Sequence, residues 1–228
     1  RNKLVDNVKK NHSKPMDKLG LSGILSDWAS KYQDQCLTNF NKVGIPSGRA
    51  EYWRFVPSKL WDSSGSIDTE IAELSSNPVI SHDNRPDLYL DFFDGVVDQT
   101  SLKNLSEKLI GSEISGFENA VFDNDHWAKD YIGKAETNAR EPYERPFALL
   151  NGSEVSQGLF LFCKKSPGQP VHIFYSGEEN SSASIRHLIK IAEGVDLHII
   201  EHFSGRVKYN TVLEGFLEAK SILNHNRL

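Results

Sequence analysis

The residues best suited to chemistry are four histidines in the second half of the chain, two of which lie close to a glutamate. His198, Glu201 and His202 share one short stretch, with His187 before it and His225 after it. In a strand, side chains four residues apart lie on one face, so His198 and His202 point the same way and Glu201 points the other way. A metal centre would need a further ligand from a neighbouring strand. The spacing favours hydrogen-bonded or solvated histidines, and leaves open a cupin-like metal-dependent enzyme that uses the His187, His198 and His202 region with Glu201.

The two cysteines are too few for a disulfide framework and lack the spacing of a metal knuckle. Cys163 stands beside Lys164 and Lys165, whose charges could lower the pKa of its thiol. Packing is the favoured role for both Cys36 and Cys163.

Two further clusters have a plain structural interpretation. Adjacent Glu178 and Glu179 indicate a polar loop, because glycoside hydrolysis needs two acids across a cleft. The aromatic run at residues 52–55 is typical of a packing anchor, and less so of a platform for a base or ligand. The motifs of nucleophile-elbow hydrolases, P-loop proteins and dinucleotide-binding folds are absent from the sequence. We therefore assign no catalytic, cofactor-binding or metal-binding residue.

Composition narrows the class of protein. The chain has 228 residues, 38% of them hydrophobic and 25% charged, and a formal net charge of -5. This balance argues against a nucleic-acid binder, and no apolar stretch is long enough for a membrane helix. We expect a cytoplasmic globular protein without nucleic-acid or membrane partners. A first residue other than Met and strand-like alternation up to Leu228 lead us to expect a piece of a longer protein.

The first half of the chain reads as helical. Apolar residues recur every three or four positions over residues 21–40, which predicts a helix that stops at Gly44. Residues 87–95 predict a strand that runs into an Asp-Gly turn, with a hairpin partner near Val96.

Further helices are predicted on either side of residue 115. Ser101 can cap a helix that ends at Gly111, and a second helix is expected from Phe117 to Tyr131. Residues 136–146, with two prolines and few apolar side chains, predict a linker.

After Pro146 the hydrophobic period becomes two, with the inward side of one strand formed by Ile185, His187, Ile189 and Ile191. The predicted strands cover residues 157–163, 170–175, 185–192, 195–203, 207–213 and 215–225. We expect an α+β or mainly β protein, with a helical region and short hairpin over residues 1–146 and a β core over residues 147–228. Periodicity alone does not separate a sandwich, a barrel and a β-helix.

Three segments resemble the SufD subunits of the SUF iron–sulfur assembly system, within the SufB/SufD family. Residues 44–57, GIPSGRAEYWRFVP, are similar to a signature near the start of that family. Residues 147–173 resemble its entry into a β-helix. Residues 186–203, RHLIKIAEGVDLHIIEHF, are similar to its stretch with Arg-His at one end and Glu-His near the other.

The resemblance implies a fold and a role. The fold would be an N-terminal helical region followed by the first coils of a right-handed parallel β-helix, with Gly194 and Gly205 at corners. The role would be a non-catalytic scaffold subunit of a SufBCD-type complex, with SufB and the ATPase SufC as partners and a homodimer as an alternative. The iron–sulfur cluster, and the reduced flavin of some such complexes, would belong to the full complex, with no cofactor bound by this chain.

Two alternatives remain beside the cupin-like enzyme. SufB shares the β-helix, and the early signature favours SufD over it. A carbohydrate-active β-helix protein is the other, although clustered acids and an export signal are missing from the sequence.

Overall fold

The computed structural model describes residues 25–45, 85–137, 145–177, 182–205 and 207–228, which form an α+β structure. The helices are α1 (Asp27–Val43), α2 (Gln99–Lys108), α3 (Phe117–Val121), α4 (Lys134–Thr137) and α5 (Pro146–Glu154), with a 3₁₀ helix at Trp127–Asp130. The strands are β1 (Tyr89–Phe93), β2 (Val96–Val97), β3 (Glu113–Gly116), β4 (Leu159–Cys163), β5 (Val171–Ser176), β6 (Ser182–Ile191), β7 (Asp196–Phe203), β8 (Lys208–Leu217) and β9 (Ile222–Arg227).

The strands form two mixed sheets. Sheet A has the order β2-β1-β5-β7-β9 and sheet B the order β3-β4-β6-β8. From β4 onward, consecutive strands alternate between the sheets, and each pairs in parallel with the strand two positions later. β1 also pairs in parallel with β5, whereas β2 and β3 pair antiparallel at the edges. Strands on both sides of residue 146 therefore belong to the same two sheets.

The main core lies between the inner faces of the two sheets. Alternate side chains of β6 point into it, and Ile185, His187, Ile189 and Ile191 are all fully buried, as their spacing predicts. Each such aliphatic side chain contributes about 1.5–3 kcal/mol when it leaves water. The opposite face of sheet B carries Leu188, which packs with helical residues in a second core cluster. Sheet B is thus covered on both faces.

Helix α1 confirms the predicted amphipathic pattern, with Ala29, Cys36 and Phe40 on its buried side. It begins at Asp27, later than the pattern predicts, and residues 21–24 lie outside the described ranges. It ends where Gly44 takes a positive φ of 73°, a conformation that glycine adopts without strain.

The predicted hairpin between β1 and Val96 is confirmed. The cap of α2 is different from the prediction, because Asp98 is the N-cap and its carboxylate accepts the backbone N–H of Ser101 at 2.7 Å. The aspartate precedes the first turn, so it reaches a free N–H that Ser101, already inside the helix, cannot cap. α2 also ends at Lys108, before Gly111.

One predicted helix is wrong as a continuous element. The helix expected from Phe117 to Tyr131 is broken into α3 and the 3₁₀ helix, with Asp123 accepting the backbone N–H of Asp125 at 2.8 Å in the turn between them. Residues 147–151, which precede the first predicted strand of the β core, lie in helix α5, which begins at Pro146 because proline suits the first helical turn.

The last two strands are divided differently from the prediction. The chain turns at Ala219 and Lys220, where Lys220 has a φ of 58°, so β8 continues through Gly215. A Cβ at Gly215 would come 3.1 Å from Leu223 Cδ2, so this glycine serves close packing inside a strand and not a turn. The predicted corner glycines Gly194 and Gly205 do have positive φ values between strands.

Among the described residues, none of the helices is long and apolar enough to cross a membrane.

Candidate functional site

Five inward-facing polar side chains meet between the two sheets. Tyr175 comes from β5, His187 from β6, Glu201 from β7, and His225 and Arg227 from β9. We refer to these five residues as the core polar cluster. Each lies at an alternate strand position on the face that is turned toward the core. The apolar side chains on the same face surround it.

The hydrogen bonds form a chain that runs from Leu159 through His187 and Tyr175 to Glu201. Leu159 donates its backbone N–H to Nδ1 of His187 at 3.0 Å, so that nitrogen is an acceptor. In the neutral ring the hydrogen is then on Nε2, which lies 2.6 Å from the Tyr175 hydroxyl and donates to it. The hydroxyl in turn donates to Oε1 of Glu201 at 2.6 Å.

The second oxygen of Glu201 is held by the last strand. Oε2 accepts from Nε2 of His225 at 2.7 Å and from Nε of Arg227 at 2.5 Å. The Glu201 side chain is 0% exposed, whereas those of His225 and Arg227 are 25% and 46% exposed. The guanidinium that balances this buried carboxylate thus lies near the surface.

Burial and charge shift the titration of each buried member. Burial lowers the pKa of His187 to about 4 against the pull of Glu201, so this ring is neutral at neutral pH. Burial, with the adjacent Glu201 carboxylate, raises the pKa of Tyr175 well above its usual value. Burial works to raise the pKa of Glu201, but the hydrogen bond from Tyr175 and the nearby His187 and Arg227 outweigh it and lower that pKa.

This arrangement connects strands, and it leaves His187 and Tyr175 poorly suited to react with a substrate or to bind a metal ion. Both nitrogens of His187 are engaged, so neither offers a lone pair to a metal ion or a substrate. Tyr175 keeps its proton and is enclosed by Phe92 and Phe203, whose rings stack on it at 5.4 and 4.5 Å. Charge-assisted hydrogen bonds to Glu201 join β5, β7 and β9, and the bond between neutral His187 and Tyr175 adds β6.

The other predicted histidines lie on the opposite face of sheet A. His202 forms a hydrogen bond with His172, 2.9 Å between Nε2 and Nδ1, and stacks on Phe174 at 4.5 Å. His198 contacts Asn226 Oδ1 at 3.0 Å. Burial lowers the pKa of both His172 and His202, and for His172 the neighbouring His202 adds to this effect.

The residues proposed for a metal centre therefore do not converge. His187 and Glu201 point into the core, while His198 and His202 point away from it. Within the described ranges, there is no group of three or more His, Cys, Asp or Glu side chains that could hold a metal ion.

Cys163 is a buried thiol that contacts the carbonyl oxygen of Lys165 at 3.3 Å. Burial raises its pKa, so the adjacent lysines do not activate it. Cys36 is buried in α1. Glu178, Glu179 and the aromatic run at residues 52–55 lie outside the described residues.

A second buried ion pair, which sequence reasoning missed, faces the helices. Glu214 Oε1 accepts from Nε and Nη2 of Arg186, each at 2.8 Å, and both side chains are almost fully buried. Glu214 also accepts the backbone N–H groups of Gly133 at 3.0 Å and Ala135 at 3.3 Å. Arg186 donates to Asn151 of α5 at 3.1 Å. The pair therefore anchors helical segments on sheet B.

Tyr175 and Arg227 were also missed as cluster members. Their inward positions follow from strand alternation, but their partners lie on other strands and no spacing within the sequence marks them.

No protein-family model matches the chain, and no curated protein is significantly similar to it in sequence. The fold and the two clusters define an α+β protein whose buried polar residues connect its strands and helices.

Proposed function

We propose that this protein is a non-catalytic, SufD-like scaffold subunit of a SufBCD-type complex for iron–sulfur cluster assembly. The observation that carries the proposal is the position of the 186–203 segment, the part of the chain most similar to that family. Its Arg186 belongs to the buried ion pair with Glu214. Its His187 and Glu201 belong to the core polar cluster. A segment of this kind suits a rigid scaffold, because its buried polar residues form hydrogen bonds that connect the sheets and the helices.

The strand arrangement supports the finer proposal of a right-handed parallel β-helix. From β4 to β9, successive strands alternate between two sheets, and every pairing among them is parallel. Each coil of a β-helix stacks on the next in this way and buries its core only through stacking. The helices on the outer face of sheet B fit the helical region that the resemblance implies.

The partners follow from the same resemblance. SufB and the ATPase SufC would bind the subunit, SufC would hydrolyse ATP, and the whole subunit would transmit the movement of SufC to the SufB interface. The iron–sulfur cluster is the cargo of the complex, with reduced flavin bound elsewhere in some complexes. The location would be the cytoplasm, and self-pairing is the expected state when SufB is absent.

The test is affinity purification of the natural gene product, tagged at its own locus. We expect SufB and SufC to co-purify as separate subunits and the yield of assembled iron–sulfur protein to fall when the gene is deleted. A matched strain with the same tag on an unrelated cytoplasmic protein controls for adventitious capture. Recovery without SufC would overturn the proposal.

The alternative within the family is SufB itself. It is distinguished in the same experiment, because SufB would then be the tagged subunit and a SufD chain would appear beside it. The 228-residue chain alone is not expected to recruit SufC, since the resemblance places that contact outside it. A stable one-to-one complex with SufC would contradict that placement.

A further inference from the structure

The outer face of sheet A, on the side away from the main core, is aromatic and rich in histidine. Its side chains stand at the positions of β1, β5 and β7 that alternate with buried, inward-facing residues. None of these outward positions holds a lysine or a glutamate. Aromatic enrichment and a lack of these two charges are typical of a covered surface. The rings on this face are those of Tyr89, Phe93, His172, Phe174, His198 and His202.

An arginine from outside the sheet covers part of this face. The ring of Phe174 stacks on that of His202, with 4.5 Å between the ring centroids. The guanidinium carbon of Arg85 lies 5.2 Å from the ring centroids of both Phe174 and Tyr89, in cation–π contact with them. The same guanidinium pairs with Asp91, and the Arg85 side chain is 15% exposed. Arg85 is therefore held against the outer face of sheet A.

Arg85 is also the residue at which the chain reaches sheet A. Ile45 and Arg85 are the described residues on either side of residues 46–84, which lie outside the described ranges and which we refer to as the connecting segment. Ile45 follows α1, and Ala29 of α1 belongs to the second core cluster, on the outer face of sheet B. The connecting segment therefore joins the helical side of sheet B to the outer face of sheet A.

The connecting segment is much longer than the path between these two sides requires. Packed sheets lie about 10 Å apart, whereas a segment of about 40 residues reaches up to about 130 Å when it is fully extended. Its sequence also supplies apolar side chains, among them the aromatic run at residues 52–55 and Trp61. The chain thus brings surplus length and aromatic side chains to an aromatic face, where their burial is favourable.

We propose that the connecting segment docks on the outer face of sheet A, over Phe174 and His202, and covers this face as the helices cover sheet B. Arg85 fixes the end of the segment against the face through its contacts with Tyr89, Phe174 and Asp91. The proposal rests on the chemistry of the face and on the two described ends of the segment, and it does not depend on the proposed function.

Two properties favour the connecting segment over a second copy of the chain as the occupant. The segment is tethered at both ends, so its docking is intramolecular and does not have to offset the entropy of association. The face is also small: three strands of about five residues cover roughly 250 Å² in projection, well below the about 800 Å² per partner of a stable interface. A tethered segment can occupy a patch of this size, whereas a separate chain would need a larger one.

Photo-crosslinking of the intact 228-residue chain tests the proposal. p-Benzoylphenylalanine in place of Phe174 keeps an aromatic ring on the face and, on irradiation, forms a covalent bond to a nearby C–H group. We expect crosslinked peptides that join position 174 to residues 46–84 of the same chain. The matched control carries the same amino acid in place of Ile110, which is 80% exposed and follows α2. Its yield of crosslinks to the connecting segment should be lower by about fivefold or more.

Two results of this experiment would overturn the proposal. Crosslinks from position 174 that join two chains would show that a second copy occupies the face. A yield from position 174 to residues 46–84 that is no higher than the yield from position 110 would show that the connecting segment does not lie on the face.

Replacement of the connecting segment gives an independent measurement. In a variant with a glycine–serine linker of equal length in place of residues 46–84, we expect hydroxyl-radical labelling of Phe174 and His202 to rise by about threefold or more. Trp127 packs against the second core cluster and reports whether the rest of the fold is kept. Its labelling should change by less than about 1.5-fold. Unchanged labelling of Phe174 in the folded variant would contradict the proposal.

Discussion

Tyr175 on β5 and Glu201 on β7 are joined by a 2.6 Å hydrogen bond in which the phenol donates and the buried carboxylate accepts. The two residues are not directly opposite in the ladder, because Tyr175 pairs with Phe203 and Glu201 with Ile173. The bond is therefore diagonal and depends on the parallel register of the two strands. A shift of one residue would turn Glu201 to the outer face of the sheet.

The hydroxyl of Tyr175 connects two buried groups, His187 and Glu201. Tyr175→Phe keeps the ring packing but leaves His187 Nε2–H and Glu201 Oε1 without this partner. We expect a loss of about 3 kcal/mol in the free energy of unfolding, measured by urea denaturation. Tyr209→Phe is the control, because its hydroxyl donates to the Ser176 carbonyl oxygen and does not connect two buried side chains, so its loss should cost about 1 kcal/mol. Equal effects of the two variants would contradict the bridging role of Tyr175.

The neutral ring of His187 links stability to pH. Its pKa in the folded protein is about 4, against 6.5 for an ordinary histidine, so the unfolded chain binds the proton more readily between these values. The contribution is fully present above about pH 6.5 and is lost as the pH falls toward 4. Between about pH 8 and pH 5 the free energy of unfolding should fall by about 2 kcal/mol from this group.

His187→Gln isolates that contribution, because an amide can accept from Leu159 and donate to Tyr175 without titrating. The drop in stability between pH 8 and pH 5, measured by urea denaturation, should be smaller in this variant by about 2 kcal/mol. A variant with the full pH dependence would show that other histidines, such as His172 and His202, are responsible.

The buried ion pair of Arg186 and Glu214 should be much more important for stability than an exposed one. Arg186→Met leaves Glu214 charged, buried and short of its partner, at an expected cost of about 3–5 kcal/mol in urea denaturation. Lys103→Met breaks the exposed pair with Glu107, whose atoms are 3.9 Å apart and whose side chains are 76% and 64% exposed. Its cost should stay below about 0.5 kcal/mol. Similar costs for the two variants would contradict the anchoring role of Arg186.

Metal analysis of the purified protein separates the scaffold from the cupin-like enzyme. Because His198 and His202 lie on the outer face of sheet A while His187 points from sheet B into the core, we expect only substoichiometric Fe, Mn or Zn, and a Tm that EDTA does not change. One bound metal ion per chain, removed by EDTA with a lower Tm, would favour the metal-dependent enzyme.

Several elements followed from local pattern. Apolar spacing predicted α1 and its end at Gly44, and an Asp-Gly pair predicted the hairpin of β1 and β2. Other predictions went wrong where local pattern is ambiguous: the helix expected from Phe117 to Tyr131 is broken, and Gly215 lies inside β8. At Gly215, the close approach of Leu223 from the neighbouring strand favours a glycine inside a strand over one in a turn.

The sequence by itself determined which side chains of a strand share a face, since that depends only on the period of two. It therefore separated Glu201 from His198 and His202 and grouped His187 with Ile185 and Ile189. Only the tertiary structure decided which side chains of different strands are in contact. Tyr175, His187 and Glu201 lie in three strands from two sheets, and the parallel register and the packing of the sheets, which bury the core, bring their polar atoms within hydrogen-bonding distance.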